Sequence, residues 1–106
     1  PHSSGRHGST EALQWPYARW GADVVIAGHD HAYERIERDG IVYLVNGLGG
    51  HGKRYEFNTP VDGSQIRFNA AHGALKVQAT ATELRLEFVR TGGQAVDTRV
   101  LTAKSG

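Results

Sequence analysis

The chain has 106 residues, 39% hydrophobic and 22% charged, a composition that suits one globular domain at most. It contains no cysteine, which removes disulfides, a thiol nucleophile and thiolate metal sites together. A formal net charge of +1 argues against nucleic acid or an anionic membrane as the main partner, and no apolar run approaches the roughly 20 residues that cross a bilayer.

Residues 1–8 read as a small, polar, glycine-bearing loop. Ser9 or Thr10 can cap a helix, Glu11 sits in its first turn, and Leu13, Trp15, Tyr17 and Trp20 supply a face to bury. Pro16 predicts a kink or two short helices, and Gly21 ends the segment. Val24, Val25, Ile26 and Ala27 run without alternation, which predicts a strand covered on both faces. Residues 33–38 and 41–45 form a predicted hairpin joined at Asp39-Gly40. A loop bearing Gly47, Gly49, Gly50 and Gly52 follows, and residues 53–70 read as a long polar surface loop. Three strands are expected at 74–80, 84–89 and 95–102, with Thr91-Gly92-Gly93-Gln94 as the last turn. In the middle one Leu84, Leu86 and Phe88 alternate with Arg85 and Glu87, so one face is buried. The expected class is α/β: one N-terminal helical region, then mostly antiparallel strands.

Without thiols, a metal site must draw on His, Asp, Glu or Asn. His29 and His31 stand one residue apart in Gly28-His29-Asp30-His31, at the carboxyl end of the predicted strand 24–27. Open α/β sheets place ligands at that end, and neutral imidazole suits zinc, iron and manganese. In a regular strand both rings point to one side; in a loop leaving the strand they can diverge towards two ions. Gly28 is expected to let the backbone turn sharply. The plainer reading is a pair of surface histidines.

Residues 28–35, Gly-His-Asp-His-Ala-Tyr-Glu-Arg, resemble the G-H-x-H-x-Y-E-R signature of purple acid phosphatase-like enzymes, within the calcineurin-like metallophosphoesterase superfamily. Residues 1–9 look like the tail of that family's H-x-P-x-Y-S-S-x-x-H segment, and residues 20–27 match the passage before G-H-x-H. The resemblance covers residues 1 to about 52 well and the remainder as architecture only. It implies the C-terminal half of an α/β/β/α sandwich and hydrolysis of a phosphoester by two metal ions, iron with zinc, manganese or a second iron. It implies that His29 and His31 are ligands, one for each ion. It assigns His7 to the substrate phosphate, as a proton donor to the leaving group. Tyr33, Glu34 and Arg35 become a shell supporting the loop, and Asp30 fills a variable position. His2 stands where the family usually has Tyr.

The family's other ligand motifs, Asp-x-His, Gly-Asp and Gly-Asn-His, do not occur in these residues. The chain is therefore expected to be a single C-terminal fragment, with 1–52 bearing the site and 53–106 the later strands. Its partners would be a phosphoester and the preceding part of the same polypeptide, in a secreted or periplasmic setting by analogy with the family. On its own it is expected to be inactive, marginally stable and prone to associate through the strand 24–27.

Other residues carry weaker signals. His51, among glycines, is a candidate for the pocket mouth, with an exposed loop histidine as the simpler reading. His72 reads as structural. Arg35 and Arg38 beside Glu34 and Glu37 suggest a solvated, salt-bridged face, and Trp15, Tyr17 and Trp20 suggest core. The competing reading is a non-catalytic β-rich binding module with an incidental single metal at His29 and His31. A mononuclear zinc hydrolase would need a third ligand, and none stands at a characteristic spacing.

Overall fold

The computed structural model describes residues 1–103. Its strands are β1 (Val24–Ala27), β2 (Tyr33–Arg38), β3 (Ile41–Asn46), β4 (Ser64–Phe68), β5 (Gly73–Ala79), β6 (Glu83–Arg90) and β7 (Ala95–Thr102). They form a four-stranded sheet in the order β1-β3-β2-β4 and a three-stranded sheet in the order β5-β6-β7. β1 runs parallel to β3, and every other pairing is antiparallel. The hairpin β2-β3 turns at Asp39 (φ 53°) and Gly40 (φ 75°), the left-handed pair of a type I′ turn, so register follows from the dipeptide.

Alternation sorts the side chains of the first sheet. Tyr33, Val42 and Leu44 face the second sheet and meet Leu86 and Phe88, with Leu48 closing the cluster. The rings of Tyr33 and Phe88 stack with centroids 4.2 Å apart. Ile36, Ile41 and Tyr43 face the other way and pack with Tyr17, Val25 and Val61. Asp97 of β7, itself buried, ties the sheets together. It accepts hydrogen bonds from the Tyr33 hydroxyl at 2.7 Å and from Arg35 at 2.8 Å and 3.2 Å. Burial first, and Asp97 second, push the Tyr33 phenol far above its usual range, which keeps it a donor.

The molecule departs from the expected α/β class: it is two β-sheets with almost no helix among the described residues. The helix over the N-terminal aromatic stretch is replaced by a three-residue 3₁₀ turn at Glu11–Leu13, and Thr10 makes no side-chain cap. Pro16 interrupts the run, and a single turn follows. That turn closes with bonds from Gly21 N to Ala18 O (3.1 Å) and Ala22 N to Tyr17 O (3.0 Å), the helix-ending pattern predicted for Gly21 (φ 84°). Trp15 (53% exposed) and Trp20 (62% exposed) are not core; they lie against each other and Tyr17, and only Tyr17 reaches a buried ring, Tyr43. β1, an edge strand of its sheet, is not covered on both faces either, because Ile26 is exposed.

The polar segment 53–70 contains β4, in which Ile66 and Phe68 pack on the core while Gln65 and Arg67 stay exposed. The charged face expected on β2 is not solvated. Glu34 is fully buried, and Arg35 is committed to Asp97 and Glu37.

Replacing Phe88 by Ala removes the ring that joins the sheets and is expected to cost about 3–5 kcal/mol, read by urea denaturation. Hydrogen bonds from Arg99, outweighing partial burial, hold the Glu37 carboxyl below its usual value of 4.5. A depressed carboxylate stabilises the fold above its unfolded value and loses that contribution as pH falls through the folded one. Unfolding followed from neutral pH into the acid range should therefore show the unaltered chain losing more stability below pH 4.5 than Glu37→Gln.

Candidate functional site

The loop between β1 and β2 leaves its strand in a conformation that brings distant residues together. The left-handed residue is His29 (φ 77°) and not Gly28, so the turn that glycine was expected to make is made by histidine. Such a backbone persists only where its surroundings fix it, and it costs about 1–3 kcal/mol. Asp30, two residues beyond Gly28, provides the fixing contact. It is buried, and its carboxylate accepts the Ser3 hydroxyl at 2.5 Å and the His7 backbone N–H at 2.8 Å. Ser3 Oγ in turn accepts the Gly5 N–H at 3.0 Å. Glycines admit this approach: a Cβ on Gly5 would lie 2.6 Å from Asp30 Oδ2, and one on Gly47 would lie 1.9 Å from the Asp30 carbonyl oxygen.

Glu34 makes the second tie to the same segment. Its carboxylate accepts the Ser4 N–H at 2.7 Å and the Ser64 hydroxyl at 2.5 Å. The Ser4 hydroxyl accepts the Val61 N–H at 2.8 Å. Ser3 and Ser4 are thus consumed by structural hydrogen bonds. Tyr33 and Arg35 point to the opposite face, towards Asp97, so the Tyr-Glu-Arg run divides between inter-sheet packing and the N-terminal segment.

Once residues 1–8 are held, the rings gather. His7 stacks on His29 at 3.8 Å between centroids. His31 stacks on Tyr55 at 4.1 Å and lies 4.2 Å from His51. Tyr55 meets His7 edge-on at 5.5 Å and completes the group. His29 and His31 therefore reach different neighbours. His31 Nδ1 is 2.7 Å from the Lys53 carbonyl oxygen; donation to that oxygen leaves Nε2 with its lone pair. His72 stays outside the group and binds the His51 carbonyl oxygen through Nε2 at 2.7 Å. His2 packs edge-on against Tyr43 and accepts from Arg38 at 3.0 Å. Burial, then Arg38, hold its imidazole below the usual range.

The donor set suits a borderline metal in kind and falls short in number. A histidine fixed through Nδ1 by a backbone carbonyl is the common form of a metal-ligating imidazole. At the same strand end, Asn46 Oδ1 is buried without a hydrogen-bond partner, an oxygen of the type that iron, zinc and manganese accept. Among the described residues, no three His, Asp or Glu side chains converge as a metal-holding group.

Residues 40–98 match the model of the family described as iron/zinc purple acid phosphatase-like protein C. The chain belongs to that family. The match runs from β3 through the first half of β7; it starts after the Gly-His-Asp-His loop and lies mostly beyond residue 52, where the resemblance is one of architecture alone. None of the curated proteins matches the chain. Among solved structures it is similar to GAP50, the anchor in the inner membrane complex of Plasmodium, with a TM-score of 0.79 at 22% identity. That likeness takes in 98% of this chain and 34% of the other, so the chain spans about a third of its structural relative.

Sequence reading passed over two residues of this site. Asp30 was assigned to a variable motif position, and only its burial reveals the clamp. Tyr55, in a mostly polar stretch, gives no sequence signal of its ring contacts. Gly47→Ala forces the backbone away from Asp30; a destabilisation of about 3 kcal/mol or more is expected from urea unfolding, with shifted His29 and His31 amide resonances.

Proposed function

We propose that this chain supplies the C-terminal part of a metal-dependent phosphoester hydrolase site. His29 and His31 would hold metal, and His7 would face the substrate phosphate. The observation carrying this reading is the convergence of His7 on His29 through the Asp30 clamp. Family membership supports the fold on which such sites are built.

A pair of bound divalent or trivalent ions, iron with zinc, manganese or a second iron, would supply Lewis-acid charge and an activated water for in-line attack on phosphorus. The remaining work belongs to this chain's residues. Asp30 fixes the His7 backbone and thereby the position of its ring. His7, exposed on one side, can donate a hydrogen bond to a phosphate oxygen and a proton to the departing oxygen. The Lys53 carbonyl orients His31. Glu34 keeps the N-terminal segment on β2, so the imidazoles are positioned before substrate arrives.

A second reading is a non-catalytic module of the same fold. It draws on the description of GAP50 as an anchor and on the exposed Trp15 and Trp20. The two separate in one experiment on the intact gene product. His29→Ala and His31→Ala should each lower metal affinity and aryl-phosphate turnover by about 100-fold or more. His7→Ala should keep the metal and lose about 10²–10⁴-fold in kcat. Full turnover without both ligand imidazoles would overturn the hydrolase reading, and bound metal without turnover in the unaltered protein would favour the module.

A further inference from the structure

Beside the imidazole group lies a shallow cavity of ≈ 460 Å³ whose lining includes Arg6, Lys53, Arg54, Tyr55 and Glu56. Three cations and one carboxylate in so small a space leave an excess of positive charge on a chain whose net charge is only +1. Two of the three cations are placed by contacts of their guanidinium groups. The Arg6 guanidinium lies over the Tyr55 ring at 5.1 Å from its centroid, an arrangement that orients its N–H donors. Arg54 donates to the Ala70 carbonyl oxygen. Lys53 lines the cavity, and its backbone carbonyl orients His31.

The cavity and the imidazoles share a wall. Tyr55 lines the cavity and carries His31 stacked on it and His7 at its edge. An anion seated among Arg6, Lys53 and Arg54 is therefore one ring away from the group that would face a scissile phosphate. Guanidinium pairs strongly and bidentately with phosphate oxygens, and ammonium adds a point charge. An excess of two positive charges over Glu56 matches more than a singly charged group.

We propose that this cavity is a subsite for the second phosphoryl group of a diphosphate-bearing substrate, an inference that rests on the hydrolase reading for what happens at the first. The substrate class is then a phosphate ester or anhydride with a further phosphate next to the one cleaved. Tyr55 and Arg6 select it, and an ester with a neutral leaving group gains nothing from them.

The test is binding, so that it stands apart from turnover. Sodium pyrophosphate and sodium phosphate are titrated into the chain without metal, at low ionic strength, with Tyr55 and His31 ring signals observed by NMR. Pyrophosphate should shift both rings and bind about tenfold more tightly than orthophosphate, the difference expected from one added charge-assisted contact. Its affinity should fall as salt rises. Arg6→Gln with Lys53→Gln, both surface side chains, should weaken pyrophosphate about tenfold or more with the Tyr33 and Phe88 signals unmoved. Equal affinity for the two anions, or pyrophosphate binding untouched by the double substitution, would overturn the subsite. Loss of hydrolysis in the intact protein, with pyrophosphate binding as described, would instead overturn the hydrolase reading and leave the anion site standing.

Discussion

The carboxylate of Asp30 is the contact on which the site depends. A buried charge is costly unless hydrogen bonds replace its water, and here the replacements come from Ser3 and His7. Because those donors lie in a segment without regular structure of its own, satisfying the charge also folds the segment. Glu34 repeats the device one strand further in, with Ser4 and Ser64. Two acidic side chains thus convert a glycine-rich terminus into a wall of the imidazole cluster. The tight approach of Gly5 and Gly47 to Asp30 leaves no space for a side chain on either.

The sheets serve a different purpose. Their packing, centred on Tyr33 and Phe88 and closed by Asp97, holds β2 and therefore the base of the Gly-His-Asp-His loop. β2 contributes to both: Tyr33 and Arg35 face the second sheet, while Glu34, on the other face with Ile36, holds the N-terminal segment. A period of two along one strand assigns neighbouring residues to separate tasks. The sheet side holds the strand in place, and the clamped side fixes the left-handed His29 and supplies the rings.

Local chemistry was legible in the amino acids. Asp39-Gly40 specifies its own turn, and the alternation of Leu84, Leu86 and Phe88 reports a face that the structure buries. The failures share a cause: tertiary partners decided them. Leu13, Trp15, Tyr17 and Trp20 have enough apolar surface for a helix, yet Pro16 divides them, and only Tyr17 finds a buried neighbour. β4 has just Ile66 and Phe68 to announce it and exists because β2 offers an edge. The motif at 28–31 named His29 and His31, but it did not show that Asp30 between them holds the N-terminal segment or that Tyr55 bridges the rings. Those facts arise from residues far apart in the chain.

The most direct test of this account is the proximity of the His7 and His29 rings, read as a nuclear Overhauser cross-peak in the chain and in Asp30→Ala. The account predicts a cross-peak in the unaltered chain that disappears on substitution, while the Tyr33–Phe88 cross-peaks remain and report intact sheets. A His7–His29 cross-peak that survives loss of the Asp30 carboxylate would contradict it.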